Sequence, residues 1–198
     1  MDPFGAFGAT NPVEVDVVTD AYRISGTIQT RFGRLTDILN QQAAPYVTIG
    51  QATISEHADP TAAVAAPSVL VAVSAILLMS APNLTGESNA EMRIAKRPVR
   101  AQLAMPPIRV TGTIHVPQGS RPIDGLLNVS DRFLAMTDVT IASGAYPELS
   151  GTATAVAVCR DRAQLLLVAD DEESEELLAD VLDQSTAEAW LRPDERSE

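Results

Sequence analysis

Two short stretches, Tyr22-Arg-Ile-Ser-Gly-Thr-Ile28 and Ile108-Arg-Val-Thr-Gly-Thr-Ile114, decide how this chain of 198 residues is read. In the first, Tyr22, Ile24, Gly26 and Ile28 fall on one side of a two-residue period, and Arg23, Ser25 and Thr27 on the other. The second repeats the pattern with Ile108, Val110, Gly112 and Ile114. Such alternation belongs to a half-buried β-strand, whose successive side chains point to opposite faces. Gly26 and Gly112 sit on the apolar face in mid-strand, where a missing side chain marks a bend, a bulge or the close approach of another segment. A strongly curved sheet is the expectation.

The likeness between the two stretches continues downstream. Arg34-Leu-Thr-Asp37-Ile-Leu39-Asn40 returns, with one extra residue, as Arg121-Pro-Ile-Asp124-Gly-Leu-Leu127-Asn128, and Thr53-Ile54 returns as Thr140-Ile141. Ten identities fall within the 33 positions of residues 22–54, matched at residues 108–141, which implies an internal duplication. The shared polar set Arg34, Asp37 and Asn40, with Arg121, Asp124 and Asn128, suits a short helical turn or tight loop. An Arg–Asp ion pair and an Asn cap would brace that turn against each barrel; a shared binding site at the turn is the other reading. Strand-like runs follow at Tyr46–Ile54 and Phe133–Ile141, both rich in β-branched residues. The second unit closes with Thr154–Cys159, a charged turn at Arg160–Arg162, and Ala163–Val168, a hairpin pattern; the first offers Val69–Ser74 and Ile76–Met79.

The expected fold is therefore mainly β, with two tandem small antiparallel β-barrel units at residues 13–81 and 105–169. Residues 1–12 read as a flexible N-terminus, 82–104 as a linker and edge strand, and 170–198 as an acidic C-terminal helix or tail. Units of this size bury only about 60% of their unfolded surface, so each gains by packing on the other. Residues 62–81 contain no charge, which meets the length of a membrane-spanning helix. Seven alanines, three serines and Pro67 dilute their hydrophobicity, and the matching stretch of the second unit carries Arg160, Asp161 and Arg162. Buried closing strands are the preferred reading, with membrane association through 62–81 as an alternative.

The formal charge of −12 divides unevenly: residues 170–198 hold 12 acids and 2 bases, leaving 14 acids against 12 bases in the body. A near-neutral body offers no general electrostatic attraction to nucleic-acid phosphates. Within the tail, Leu177, Leu178, Val181 and Leu182 share a stripe at helical spacing that runs on to Trp190, a candidate partner-binding or docking helix. No Gly-rich phosphate loop, nucleophile elbow or paired Cys-x-x-Cys is present. His57, His115 and Cys159 are too few for a triad or a soft-ligand metal site. Glu56-His-Ala-Asp59 reads as an exposed loop, and His115 stands where the first unit has Gln29. The chain is thus expected to be no enzyme and to use no cofactor or metal, and a single cysteine points to a reducing cytoplasm.

The order Gly-Thr-Ile, Arg-x-x-Asp-x-Leu-Asn, Thr-x-x-x-Thr-Ile resembles uncharacterised bacterial small β-barrel domains with an Arg-Leu-Ser-Asp-x-Leu-Asn box followed by a Leu-Thr-Asp-x-x-Ile strand. Met136-Thr137-Asp138-Val-Thr-Ile141 keeps the second box, whereas Ile49-Gly-Gln51 departs from it. No activity comes with that likeness. More distantly, Gly followed by Asp-x-x-Asn and a short closing strand pair is similar to SH3-like and Sm-like barrels; the Sm-like resemblance implies a base-binding region around Asp37, Asn40, Asp124 and Asn128. The function expected first is a protein-interaction or scaffold module, whose partner is another protein or a second copy. A nucleic-acid-binding barrel pair is the alternative.

Overall fold

A computed structural model describes residues 10–84, 95–128 and 130–169. Among the described residues, ten strands and two short α-helices follow one another along the chain. They are β1 (Asn11–Val18), β2 (Tyr22–Thr30), α1 (Leu35–Asn40), β3 (Tyr46–Glu56), β4 (Asp59–Ala72) and β5 (Leu78–Ser80). The second half continues with β6 (Lys96–Met105), β7 (Ile108–Pro117), α2 (Pro122–Leu127), β8 (Phe133–Ala142), β9 (Gly151–Cys159) and β10 (Leu165–Val168). All ten strands join one antiparallel sheet in the order β10-β6-β7-β8-β9-β5-β1-β2-β3-β4, so the sheet ends in two edges, β10 and β4. In place of two separate barrels, the structure has one continuous open sheet.

The alternation read from the sequence is realised. Ile24 and Ile28 of β2 are buried with Val13, Val15 and Val17 of β1, while Val110, Ile114 and Val116 of β7 are buried in the second half. At Gly26 the pairing jumps from Ser25↔Thr53 to Thr27↔Gly50, so Gln51 and Ala52 together oppose one glycine. At Gly112 the same jump sets Asp138 and Val139 against one residue. Two residues against one is a β-bulge, which bends the strand and raises its twist. The partner backbone closes in: a Cβ on Gly26 would lie 2.6 Å from the Gly50 carbonyl oxygen, and one on Gly112 2.9 Å from that of Thr137.

Several expectations need correction. Residues 62–81 do form strands, but β4 is an exposed edge over most of its length; the burial is concentrated in Ile76, Leu77, Leu78 and Met79. Among the described residues, no helix is long and apolar enough to cross a membrane. The closing strands are not hairpins. A 3-10 turn at Val73–Ala75 carries the chain away from β4, and β5 pairs with β1; a second at Arg160–Arg162 carries it from β9 to β10, which pairs with β6. Strand β6 lies inside the sheet between β10 and β7, not at an edge, and β1 already begins at Asn11. The expected C-terminal helix, with Leu177, Leu178, Val181, Leu182 and Trp190, falls outside the described residues.

The two halves are wired alike. Strand β5 pairs with β1 through Leu78↔Val18, and β10 pairs with β6 through Leu165↔Ala104. The β3–β4 register, Tyr46↔Ala72 to Ile54↔Val64, matches the β8–β9 register, Phe133↔Cys159 to Ile141↔Gly151, position for position 87 residues later. Two apolar clusters form, one within each half, and each recruits residues from the other: Phe133, Ala157 and Cys159 enter the first, and Val18, Leu77 and Leu78 the second.

Candidate interaction surfaces

The shared polar set lies at the two short helices. Arg34 and Arg121 take the extended backbone position just before α1 and α2, and Asp37 and Asp124 sit in the first turns. Negative charge there complements the helix dipole. Ion pairs between described residues join Arg23 to Asp16, Arg132 to Asp161, Arg160 to Asp161 and Arg162 to Asp20. The three types of side chain therefore do different things, and Asn40 stands apart. Its Nδ2 donates to the Phe133 carbonyl at 2.9 Å, and its Oδ1 accepts from the Phe133 N–H at 2.9 Å. An amide side chain is the group that can satisfy both backbone polar groups of one residue at once.

Those two bonds belong to a junction between the halves. Strand β5 pairs with β9 through Leu78↔Val158, Met79↔Ala157 and Ser80↔Val156, and the Cys159 N–H donates to the Leu77 carbonyl at 2.8 Å. Phe133 of β8, 1% exposed, and Leu39 of α1, 3% exposed, both belong to the first cluster. Arg162 completes the contact by donating to the Ser74 carbonyl at 3.1 Å and pairing with Asp20. Burial pushes the Cys159 thiol up from its ordinary value, so the neutral S–H persists well above neutral pH.

The positions that correspond to this junction at the sheet's two ends are bare. Tyr46 corresponds to Phe133 and is 49% exposed; Leu127 corresponds to Leu39 and is 75% exposed. Leu70 on β4 and Leu165 and Leu167 on β10 are exposed apolar side chains as well, and the Asn128 side chain is exposed. Of these, Asn128 alone stands out in the sequence, as the repeat of Asn40. Tyr46, Leu70 and Leu165 stand 87 positions from Phe133, Ala157 and Leu78, a correspondence that runs through β4, β5, β9 and β10.

A cleft of about 870 Å³ opens on the first half, lined by Thr27, Gln29, Phe32, Val47 and Gln51 among others. Its charged lining is Glu14, which accepts from Asn83 at 2.9 Å, and Arg31, whose guanidinium lies 5.3 Å over the Phe32 ring. Such a lining offers hydrogen bonds and shape. His57 is not an exposed loop residue: it is buried, its Nε2 lies 3.0 Å from the Thr19 carbonyl oxygen, and its ring lies tilted against that of Tyr146 of the other half, with centroids 5.3 Å apart. A carbonyl only accepts, so Nε2 carries the proton. His115 is exposed with Nε2 3.3 Å from the Thr137 hydroxyl. Among the described residues, no three His, Cys, Asp or Glu side chains cluster as metal ligands. No family model matches the chain, and neither a curated protein nor a solved structure matches it.

Proposed function

We propose that this chain is a non-enzymatic interaction or scaffold module, built from two tandem units of one duplicated β-pattern, whose partner is bound through strand edges. The observation that carries this reading is the pair of sheet edges. Strand β4 has no charged side chain from Ala62 to Ala72, and it exposes Val64 and Leu70. Strand β10 exposes Leu165 and Leu167. Soluble sheets ordinarily protect an edge with lysine, inward charge, proline, shortness or a cover, because unpaired N–H and C=O groups are a template for another strand; β4 carries Pro60 and Pro67, and the stretch Ser68–Ala72 beyond them has neither charge nor proline. A long uncharged edge is a place where a strand is added, with main-chain bonds supplying affinity and alternate side chains supplying choice.

The test is affinity capture with the full chain and with Leu70→Lys. Leu70 is exposed, so the charge leaves the fold intact and spoils only an added strand. Loss of a bound protein from Leu70→Lys is expected; an unchanged set of bound proteins for this variant and for a chain ending before Asp170 overturns the reading.

A further inference from the structure

We infer that the edge partner is a second copy of this chain, which docks head to tail by adding its β10 to β4 of its neighbour in the pairing that already joins the two halves. This rests on the strand-edge reading above and names its occupant. Within one molecule, the last strand of the first half, β5, is sandwiched between β1 and β9. Strand β9 is the fourth strand of the second half, so the junction joins a last strand to a fourth strand. The two strands left over at the ends of the sheet are a fourth strand, β4, and a last strand, β10. They are the same two kinds of edge, each lacking the partner that the other would supply.

The match extends to individual residues. Shifting the observed pairs Leu78↔Val158, Met79↔Ala157 and Ser80↔Val156 by 87 positions on each strand gives Leu165↔Val71, Leu166↔Leu70 and Leu167↔Val69 between neighbouring molecules. Gln164 then stands where Leu77 accepts from the Cys159 N–H, and Ala72 stands where Cys159 donates. Asn128 stands where Asn40 holds both backbone groups of Phe133, and it faces the backbone of Tyr46, whose carbonyl is otherwise taken by Gln42 at 2.8 Å. The Tyr46 ring and Leu127 are then buried together, as Phe133 and Leu39 are in the first cluster. Thus Tyr46, Leu70, Leu127, Leu165 and Leu167, five of the large apolar side chains left exposed in the free chain, are covered by one contact.

One feature of the internal junction has no counterpart: Arg162 corresponds at an offset of 87 to Ala75, and Asp20, at the offset of 86 that relates Tyr22 to Ile108, to Pro106, so the contact between molecules lacks that ion pair. It is therefore weaker than the junction inside the chain and depends on concentration. Because its two faces differ, the contact is heterologous, and repetition gives a ring if the rotation closes and a filament if it does not.

The test is light scattering coupled to size exclusion on the full chain at roughly 100 μM, where any association tighter than about 10 μM is populated. A mass of two or more chains is expected. Leu70→Lys blocks β4 and leaves β10 intact, while Leu165→Lys does the reverse; each alone should be monomeric, with association weakened at least tenfold. Mixed in equal amounts, the two should form a dimer of one copy of each and nothing larger, because one good face remains on each. A monomeric wild-type chain, variants that assemble unchanged, or a mixture that stays monomeric overturns the inference. A monomer whose captured protein is lost in Leu70→Lys would leave the scaffold reading standing, and a monomer that captures nothing through β4 would end both. If the full chain is monomeric and removal of residues 170–198 alone makes it assemble, the chain's own tail is the occupant and the inference falls.

Discussion

At the scale of single residues, the two glycines of the opening stretches and the asparagine of the turn carry specific physical loads. Gly26→Ala would force a Cβ to 2.6 Å from a backbone oxygen that sits in a bulge and cannot swing aside. The expected cost is roughly 2–3 kcal/mol, read as a lower urea midpoint, with Gly112→Ala costing somewhat less at 2.9 Å. Asn40→Ala would leave the N–H and C=O of Phe133 without their side-chain partner, at roughly 1–3 kcal/mol. Faster hydrogen exchange of the Phe133 amide would show that the loss is local to the junction. Burial of Cys159 predicts that alkylating reagent at about pH 8 leaves the folded chain unlabelled and labels it after denaturation, read by mass. The glycine role was legible because alternation put a residue without a side chain on a core face. The left-handed backbone of Gln51 and Asp138, at φ of 50° and 52°, was not, because neither residue type announces it. Asp adopts that region more readily than Gln, which gives a reason for aspartate at the second of these places.

At the scale of elements, the strands were readable and their partners were not. Thr154–Cys159 and the run to Val168 were expected as one hairpin, and both are strands, but the 3-10 turn between them turns the chain onto a different neighbour. Local pattern reports that a segment is extended; which strand it meets is set by contacts with residues far away in the chain, as in β10 with β6 and β5 with β9. The ion pair between Arg162 and Asp20 joins a turn of the second half to a loop of the first, with both side chains partly in water. Arg162→Ala should therefore cost under about 1 kcal/mol, and raised salt should erase the difference from wild type in thermal melts. A larger loss would mean that the Ser74 carbonyl, not the charge, depends on the guanidinium.

At the scale of the whole molecule, the halves share their cores. Phe133 belongs to β8 yet sits in the cluster of the first half, and Leu77 and Leu78 belong to the first half yet sit in the cluster of the second. Phe133→Ala is expected to cost roughly 3–5 kcal/mol and to lower the stability of the entire described body. Calorimetry of the wild type should show one cooperative transition over both halves, not two. Two separable transitions would mean that the exchanged residues do not couple the halves.

What the sequence determined by itself was local and repeated: alternation of period two, a glycine where backbones must meet, and a polar turn ending in asparagine, all of which follow from the chemistry of neighbouring residues. Only the tertiary structure decided that the ten strands form one sheet, that Asn40 reaches across 93 positions to Phe133, and that β4 and β10 are the outermost strands of that sheet among the described residues. Those depend on contacts between residues far apart in the chain, and no short stretch of sequence records the choice.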